Sequence, residues 1–167
     1  MHELKDILYG VKIIGVMGNT DVRVDNLTFD SKNVSSKSVF FAIQGVRHDG
    51  HDYVQQVIDA GCKVIIISKQ VQTTDKCTVI QVDNTKKALS IVSSNFFGEP
   101  SKKLKLIGIT GTNGKTSIST LLYNLYTGLG YQTGLISTVV NKISGREIPA
   151  THTTPDSIQL NSILNDM

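Results

Sequence analysis

The sequence has no apolar run approaching the roughly 18 residues of a membrane span, and its N-terminus lacks a signal peptide's apolar region. It is poor in cysteine: Cys62 and Cys77 are the two present, with no CxxC pair and no histidine at metal-ligand spacing. Both lie in or beside apolar, strand-like runs. That predicts buried thiols in a reducing compartment, not a disulfide framework or a zinc site. There is no arginine-rich run and no basic patch interleaved with aromatics. The net charge of +3 and the pI near 8.8 come from scattered lysines, so no nucleic-acid partner is expected. Repeats and low-complexity tracts are also missing. These absences describe a soluble, cytoplasmic chain with neither membrane nor nucleic acid as partner.

What is present is enough apolar residue, 40% of 167 positions, for one domain or two small ones. Residues 2–9 read as a short helix with Leu4, Ile7 and Leu8 on one face, ended by Gly10. Short strands follow from Val11, with Val22, Val24 and Leu27 in near-alternation, then a polar loop from Ser31 to Ser38. Val39 to Ile43 is a compact apolar strand, and Gln44 to Gly50 a second loop. A helix from about Asp52 buries Val54, Val57 and Ile58. Lys63–Ser68 and Thr78–Val82 read as buried strands. Asp83 or Asn84 caps a helix running to about Phe97, with Ala88, Leu89, Val92 and Phe96 inward. Gly98-Glu99-Pro100 and the charged residues after it place a domain boundary near residue 101.

The second region is organised around the stretch LKLIGITGTNGKTS, residues 104–117. Leu104, Leu106, Ile107 and Ile109 have the length and branching of a buried strand. Gly108, Gly111 and Gly114 follow at a spacing of three, then Lys115, Thr116 and a helical pattern through Ile118, Leu121, Leu122 and Leu125. Strand, glycine loop and helix in that order make a phosphate cradle. Backbone N–H groups and the helix N-terminus face an anion, Lys115 adds positive charge, and the Thr116 hydroxyl is placed for magnesium. Ile109 stands where the strict Walker pattern has glycine, so the loop is a variant. Farther on, Gly130 closes a turn, a strand begins near Gln132, and Val139-Val140 and Glu147-Ile148 can pair across Ser144-Gly145. Pro155 or Asp156 starts a last helix with Ile158, Leu160, Ile163 and Leu164 on its apolar side. That helix stops without a glycine cap or a following strand. A phosphate-loop domain needs several parallel strands, so the chain is expected to be a fragment of a longer protein.

Four stretches in order resemble the bacterial Mur ligases: Phe29-Asp30-Ser31-Lys32, Val39 to Gly50 (VFFAIQGVRHDG), Ile109 to Thr116 (ITGTNGKT) and Thr151 to Asp156 (THTTPD). The resemblance covers essentially the whole chain. It implies an α/β fold: a small N-terminal UDP-sugar-binding α/β domain over residues 1–100, then the truncated first part of a P-loop parallel-sheet ATPase domain over 101–167. It also implies an ATP- and Mg²⁺-dependent cytoplasmic ligase of peptidoglycan synthesis, working through an acyl-phosphate on UDP-N-acetylmuramoyl-peptide and an amino acid substrate. Thr-Thr-Pro-Asp after a hairpin is typical of the members that add the third amino acid, meso-diaminopimelate or L-lysine. The alternatives are the D-alanyl-D-alanine-adding members and a non-catalytic nucleotide-binding module.

On this resemblance Gly111, Thr112, Asn113 and Gly114 wrap the phosphates. Lys115 neutralises the transferring group, and Thr116, with Ser117, holds magnesium. Phe29 and Ser31 contact the uridine, although a strand-ending turn would also place a serine there. Val46, Arg47 and His48 approach the diphosphate, with a solvated loop arginine as the alternative for Arg47. Thr153 and Thr154, with His152 beside them, contact the muramoyl-peptide, while Thr before Pro-Asp is also an ordinary helix start. Thr138 is a candidate for magnesium-bound water. His51 is assigned only a helix start, and His2 nothing. The family's other catalytic parts are not in these residues, so the chain alone is expected to ligate nothing.

Overall fold

The computed structural model describes residues 1–72, 76–143, 145–149 and 155–167. They form two compact α/β units, Met1–Phe96 and Phe97–Met167.

The first unit is built on a five-stranded sheet. In chain order its strands are β2 (Ile13–Met17), β4 (Asn26–Thr28), β5 (Ser38–Phe41), β6 (Val64–Ile67) and β7 (Thr78–Val82). They lie side by side in the order β2-β7-β6-β5-β4, with β4 to β7 parallel and β2 antiparallel at one edge. Continuous apolar sequence from Val39 in β5 and throughout β6 suits parallel strands covered on both faces, and every residue of both is buried. Phe40, Ile65, Ile67 and Val79 pack with Val54, Val57 and Ile58 of helix α2 (Val54–Asp59). Alternation sends Val39, Phe41, Val64 and Ile66 to the opposite face, where they too are buried. Cys62 and Cys77 belong to the α2-side cluster, and burial pushes both thiols up.

The N-terminal helix is shorter than its apolar spacing predicts. Only Leu4–Ile7 is helical (α1), because His2–Glu3 (β1) instead pairs with Arg23–Val24 (β3) and Glu3 accepts a hydrogen bond from the Arg23 guanidinium at 2.6 Å. Leu4, Ile7 and Leu8 are buried as expected. The helix α3 spans Thr85–Phe96, with the Asn84 side chain accepting from the Lys87 N–H at its start. Ala88, Leu89 and Val92 are buried, whereas Phe96 is half-buried and its ring lies 4.4 Å from that of His2.

In the second unit, Glu99 takes a left-handed conformation (φ 54°) and Pro100–Lys103 makes a single helical turn, α4. The strand expected over residues 104–109 does not form: they lie in no ladder, and Leu106 and Ile107 are 57% and 52% exposed. Apolar, branched sequence encodes burial, but a strand also needs a neighbour to pair with, and no described residue supplies one. Helix α5 (Lys115–Gly128) follows the glycine loop, and none of its residues is buried. Gly134–Leu135 (β8), Val140–Ile143 (β9) and Arg146–Pro149 (β10) form a small antiparallel sheet in the order β10-β9-β8. The expected hairpin is present but in a tighter register: Glu147 and Ile148 lie opposite Lys142 and Asn141, while Val140 lies opposite Pro149. The last helix, α6 (Ser157–Asn165), is capped by Asp156, whose carboxylate accepts from the Ile158 and Gln159 N–H groups at 2.8 and 2.9 Å. No helix among the described residues is long and apolar enough to cross a membrane.

Candidate functional site

The glycine loop delivers the chain to α5 through Gly111 (φ 151°) and Gly114 (φ 77°). These are backbone conformations that a side chain at Cβ disfavours. Gly114 stands at the cap position and no side chain caps the helix. The N–H groups of Lys115, Thr116 and Ser117 therefore open a 14-residue helix without intrahelical acceptors, at the positive end of its dipole. The Lys115 ammonium folds back over the loop, donating to the carbonyl oxygens of Gly111 at 2.6 Å and Thr112 at 3.3 Å. Residues 111–118 are all exposed. An uncapped helix N-terminus and a lysine resting on loop carbonyls fit a polyphosphate, and an exposed hydroxyl at Thr116 fits a hard cation that keeps most of its waters. A cavity of about 610 Å³ is lined by Lys115, Thr116, Tyr123, Tyr126, Thr138 and Leu164 among others, so Thr138 shares it with the loop's two candidate side chains, Lys115 and Thr116.

The other candidate residues of the first unit gather at one sheet edge. Strands β4 and β5 are hydrogen-bonded neighbours up to the pair Thr28–Phe40. Phe29 to Ser31 and the loop after β5 both leave the sheet at its carboxyl end, where open α/β sheets place their ligands. Phe29 is 43% exposed and Ser31 half-buried. The turn holding them is set by Asp30, whose carboxylate accepts from the Lys32 N–H at 3.0 Å and the Asn33 amide at 2.8 Å. The second loop closes on itself: Gly45 N–H donates to the His48 carbonyl at 2.9 Å and Gly50 N–H to that of Ile43 at 2.8 Å. Val46, Arg47 and His48 stand exposed at its tip. The fold thus brings Phe29, Ser31, Val46, Arg47 and His48 to one edge. His152, Thr153 and Thr154 lie outside the described residues.

The residue that sequence reasoning undervalued is His51. It opens a 3₁₀ turn (Gly50–Tyr53) as expected, but its ring is buried between two segments. Nδ1 lies 2.6 Å from Asp49 Oδ1, and Nε2 accepts from the backbone N–H groups of Ser68 at 3.0 Å and Lys69 at 3.3 Å. A carboxylate on one side and N–H donors on the other require the neutral tautomer with its proton on Nδ1. Lys69 Nζ closes the cluster, 2.5 Å from Asp49 Oδ2. Lys69, then His51, hold the Asp49 carboxyl well below the usual carboxylate range. No sequence spacing marks this cluster, because a helix and a strand separate His51 from Ser68 and Lys69.

Two protein-family models match the chain: "Mur ligase family, catalytic domain" over residues 23–98 and "Mur ligase middle domain" over residues 109–167. Among curated relatives, UDP-N-acetylmuramoyl-L-alanyl-D-glutamate--2,6-diaminopimelate ligase of Cytophaga hutchinsonii is 48% identical over 167 residues, covering 99% of this chain and 34% of its own length. A Clostridium acetobutylicum protein named as the same ligase is 40% identical over 165 residues, with the same two shares. The chain spans about a third of the length of these relatives. In the solved structures, MurF ligase from Thermotoga maritima in complex with ADP is similar with a TM-score of 0.55 at 24% identity, over 87% of this chain and 29% of that one. MurF from Acinetobacter baumannii gives 0.55 at 22% identity, over 86% and 28%. At such identities the structures speak for the fold, and the family models and sequence relatives for the lineage: the chain belongs to the Mur ligase family.

Proposed function

We propose that this chain is the N-terminal part of a cytoplasmic, ATP- and Mg²⁺-dependent ligase. The whole enzyme would add the third amino acid to UDP-N-acetylmuramoyl-L-alanyl-D-glutamate in peptidoglycan synthesis. Residues 1–100 would bind the UDP-sugar and residues 101–167 begin the ATP-binding domain. The amino acid is meso-diaminopimelate or L-lysine, and the names of the relatives at 40–48% identity favour diaminopimelate over the D-alanyl-D-alanine reading. The geometric support is one observation: Ser31 and the Arg47 loop leave adjacent parallel strands at the same sheet edge, in a chain that also carries an uncapped glycine-loop helix.

On this reading the N–H groups of the 111–114 loop and of the first turn of α5 hold the nucleotide's phosphates. Lys115 exchanges its carbonyl partners for phosphate oxygens. Thr116, beside Ser117, holds magnesium through its hydroxyl. ATP, when bound, supplies the phosphoryl group that activates a substrate carboxylate. Phe29 offers an apolar wall and Ser31 a hydrogen bond to the uridine, while Arg47, between Val46 and His48, pairs with the diphosphate. His152, Thr153 and Thr154 are assigned to the muramoyl-peptide.

The test is an amide NMR titration of this chain, first with UDP-N-acetylmuramoyl-L-alanyl-D-glutamate and then with magnesium-ATP. Shifts at Ser31, Arg47 and Thr153 with the first ligand, and at residues 111–117 with the second, are the expected result. A well-dispersed spectrum in which only the Lys115 loop responds would overturn the UDP-sugar reading of residues 1–100.

A further inference from the structure

We infer that His51 is a positioning residue for the nucleotide-facing loop, acting through Asp49 and the segment that follows β6. The inference rests on the reading of Val46, Arg47 and His48 as contacts for uridine diphosphate.

The loop tip has little else to define its place. Val46 is fully exposed, and Arg47 and His48 are exposed beside it. The loop's backbone bonds join its two arms to each other, which fixes its shape. Its direction depends on what anchors the base to the rest of the sheet. His51 supplies such an anchor: one ring nitrogen holds Asp49, on the loop's return arm, and the other accepts two N–H groups at Ser68 and Lys69. Those residues directly follow β6, the parallel neighbour of the strand that launches the loop. The buried ring therefore ties the loop's return arm to the adjacent strand's carboxyl end.

The same cluster has an electrostatic consequence. An unneutralised Asp49 carboxylate at the base of this loop would repel a diphosphate. Its Oδ1 instead receives the His51 ring and backbone N–H groups, and its Oδ2 the Lys69 ammonium. Positioning and charge masking come from three side chains that need not touch the ligand.

The experiment compares the chain with its H51L, H51Q and K69M variants. UDP and, separately, magnesium-ATP are titrated into each by amide NMR, and amide hydrogen exchange is measured without ligand. H51L and K69M should weaken UDP binding about tenfold, the scale set by losing a charge-assisted or doubly shared hydrogen bond. The magnesium-ATP response at the Lys115 loop and the shifts of the β5, β6 and β7 amides should stay as in the parent chain. H51L should also speed exchange at the Gly45 and Gly50 amides. H51Q, whose Oε1 can accept from the Ser68 and Lys69 N–H groups, should keep most of the affinity. If H51L fails to fold, K69M decides, since Lys69 is half exposed and outside the core. A parent chain that binds UDP with H51L and K69M binding equally well overturns the positioning role alone. A parent chain indifferent to UDP overturns the nucleotide reading of the loop, and with it any part for His51 in that binding.

Discussion

Gly50 lies so close to Ile43 that a Cβ atom added to it would sit 2.6 Å from the Ile43 backbone nitrogen and 2.9 Å from its carbonyl oxygen. The constraint is steric, since the neighbour is backbone and cannot rotate away as a side chain could. G50A should destabilise the first unit by about 1–3 kcal/mol, the usual cost of forcing atoms into filled space. Urea unfolding followed by circular dichroism measures it, and an unchanged midpoint would contradict the contact.

Lys115 should be separable from stability. Among the described residues its ammonium is bonded to the exposed carbonyls of Gly111 and Thr112, which water can replace as acceptors. K115M is expected to lower magnesium-ATP affinity by roughly 10- to 100-fold, in line with losing charge-assisted hydrogen bonds to phosphate. Its unfolding free energy should move by less than about 0.5 kcal/mol. Calorimetric titration and thermal unfolding on the same sample report both.

Asp49 sets an acid limit on the first unit. Its carboxyl is held down by Lys69 and His51, so the folded chain keeps it ionised at pH values where the unfolded chain has begun to protonate it. Its contribution to stability is therefore fully present above about pH 4, the range of a free carboxyl, and is lost as the pH falls through the lower value of the folded state. D49N should be less stable than the parent at pH 6, with the difference shrinking toward pH 2. Denaturant midpoints of both proteins across that range test the sign.

The two thiols should be silent until the first unit opens. Cys62 and Cys77 are 2% and 7% exposed, and burial raises both away from the reactive thiolate. The Cys62 thiol also donates to the Ser38 and Val64 carbonyls, each at 3.4 Å. Iodoacetamide at pH 8 should label neither in the folded chain and both in 6 M urea, as read by mass spectrometry.

Much of the first unit was legible because its sequence signals are local and redundant. The runs Val39–Phe41 and Val64–Ile67 are continuously apolar, as only strands buried on both faces need to be, and the Asp and Asn caps mark helix starts next to the residues they bond. The turn of the glycine loop into α5 was legible for the same reason, since loop and helix are contiguous. Leu104–Ile109 shows the limit of that logic. Its Leu104, Leu106, Ile107 and Ile109 are as apolar as the residues of Val64–Ile67, yet pairing is a property of two segments and one segment's composition cannot supply the other. His51 marks a second limit: an Asp-Gly-His sequence reads as a turn into a helix, and that is true of its backbone. The ring's task depends on Ser68 and Lys69, which arrive beside it only after a crossover is complete. Short pairings displaced other expectations, as where His2–Glu3 leave the predicted helix to join Arg23–Val24.

The uneven sharing of apolar burial between the two units has a calorimetric consequence. Among the described residues of Phe97–Met167, only Leu135, Ile143 and Leu164 are buried hydrophobics, while Met1–Phe96 holds a continuous double-sided core. Heat capacity and enthalpy of unfolding follow the apolar surface released. A cooperative heat-absorption peak recorded on this chain is thus expected to come from its first 96 residues, with the remainder adding a shallow, sloping baseline.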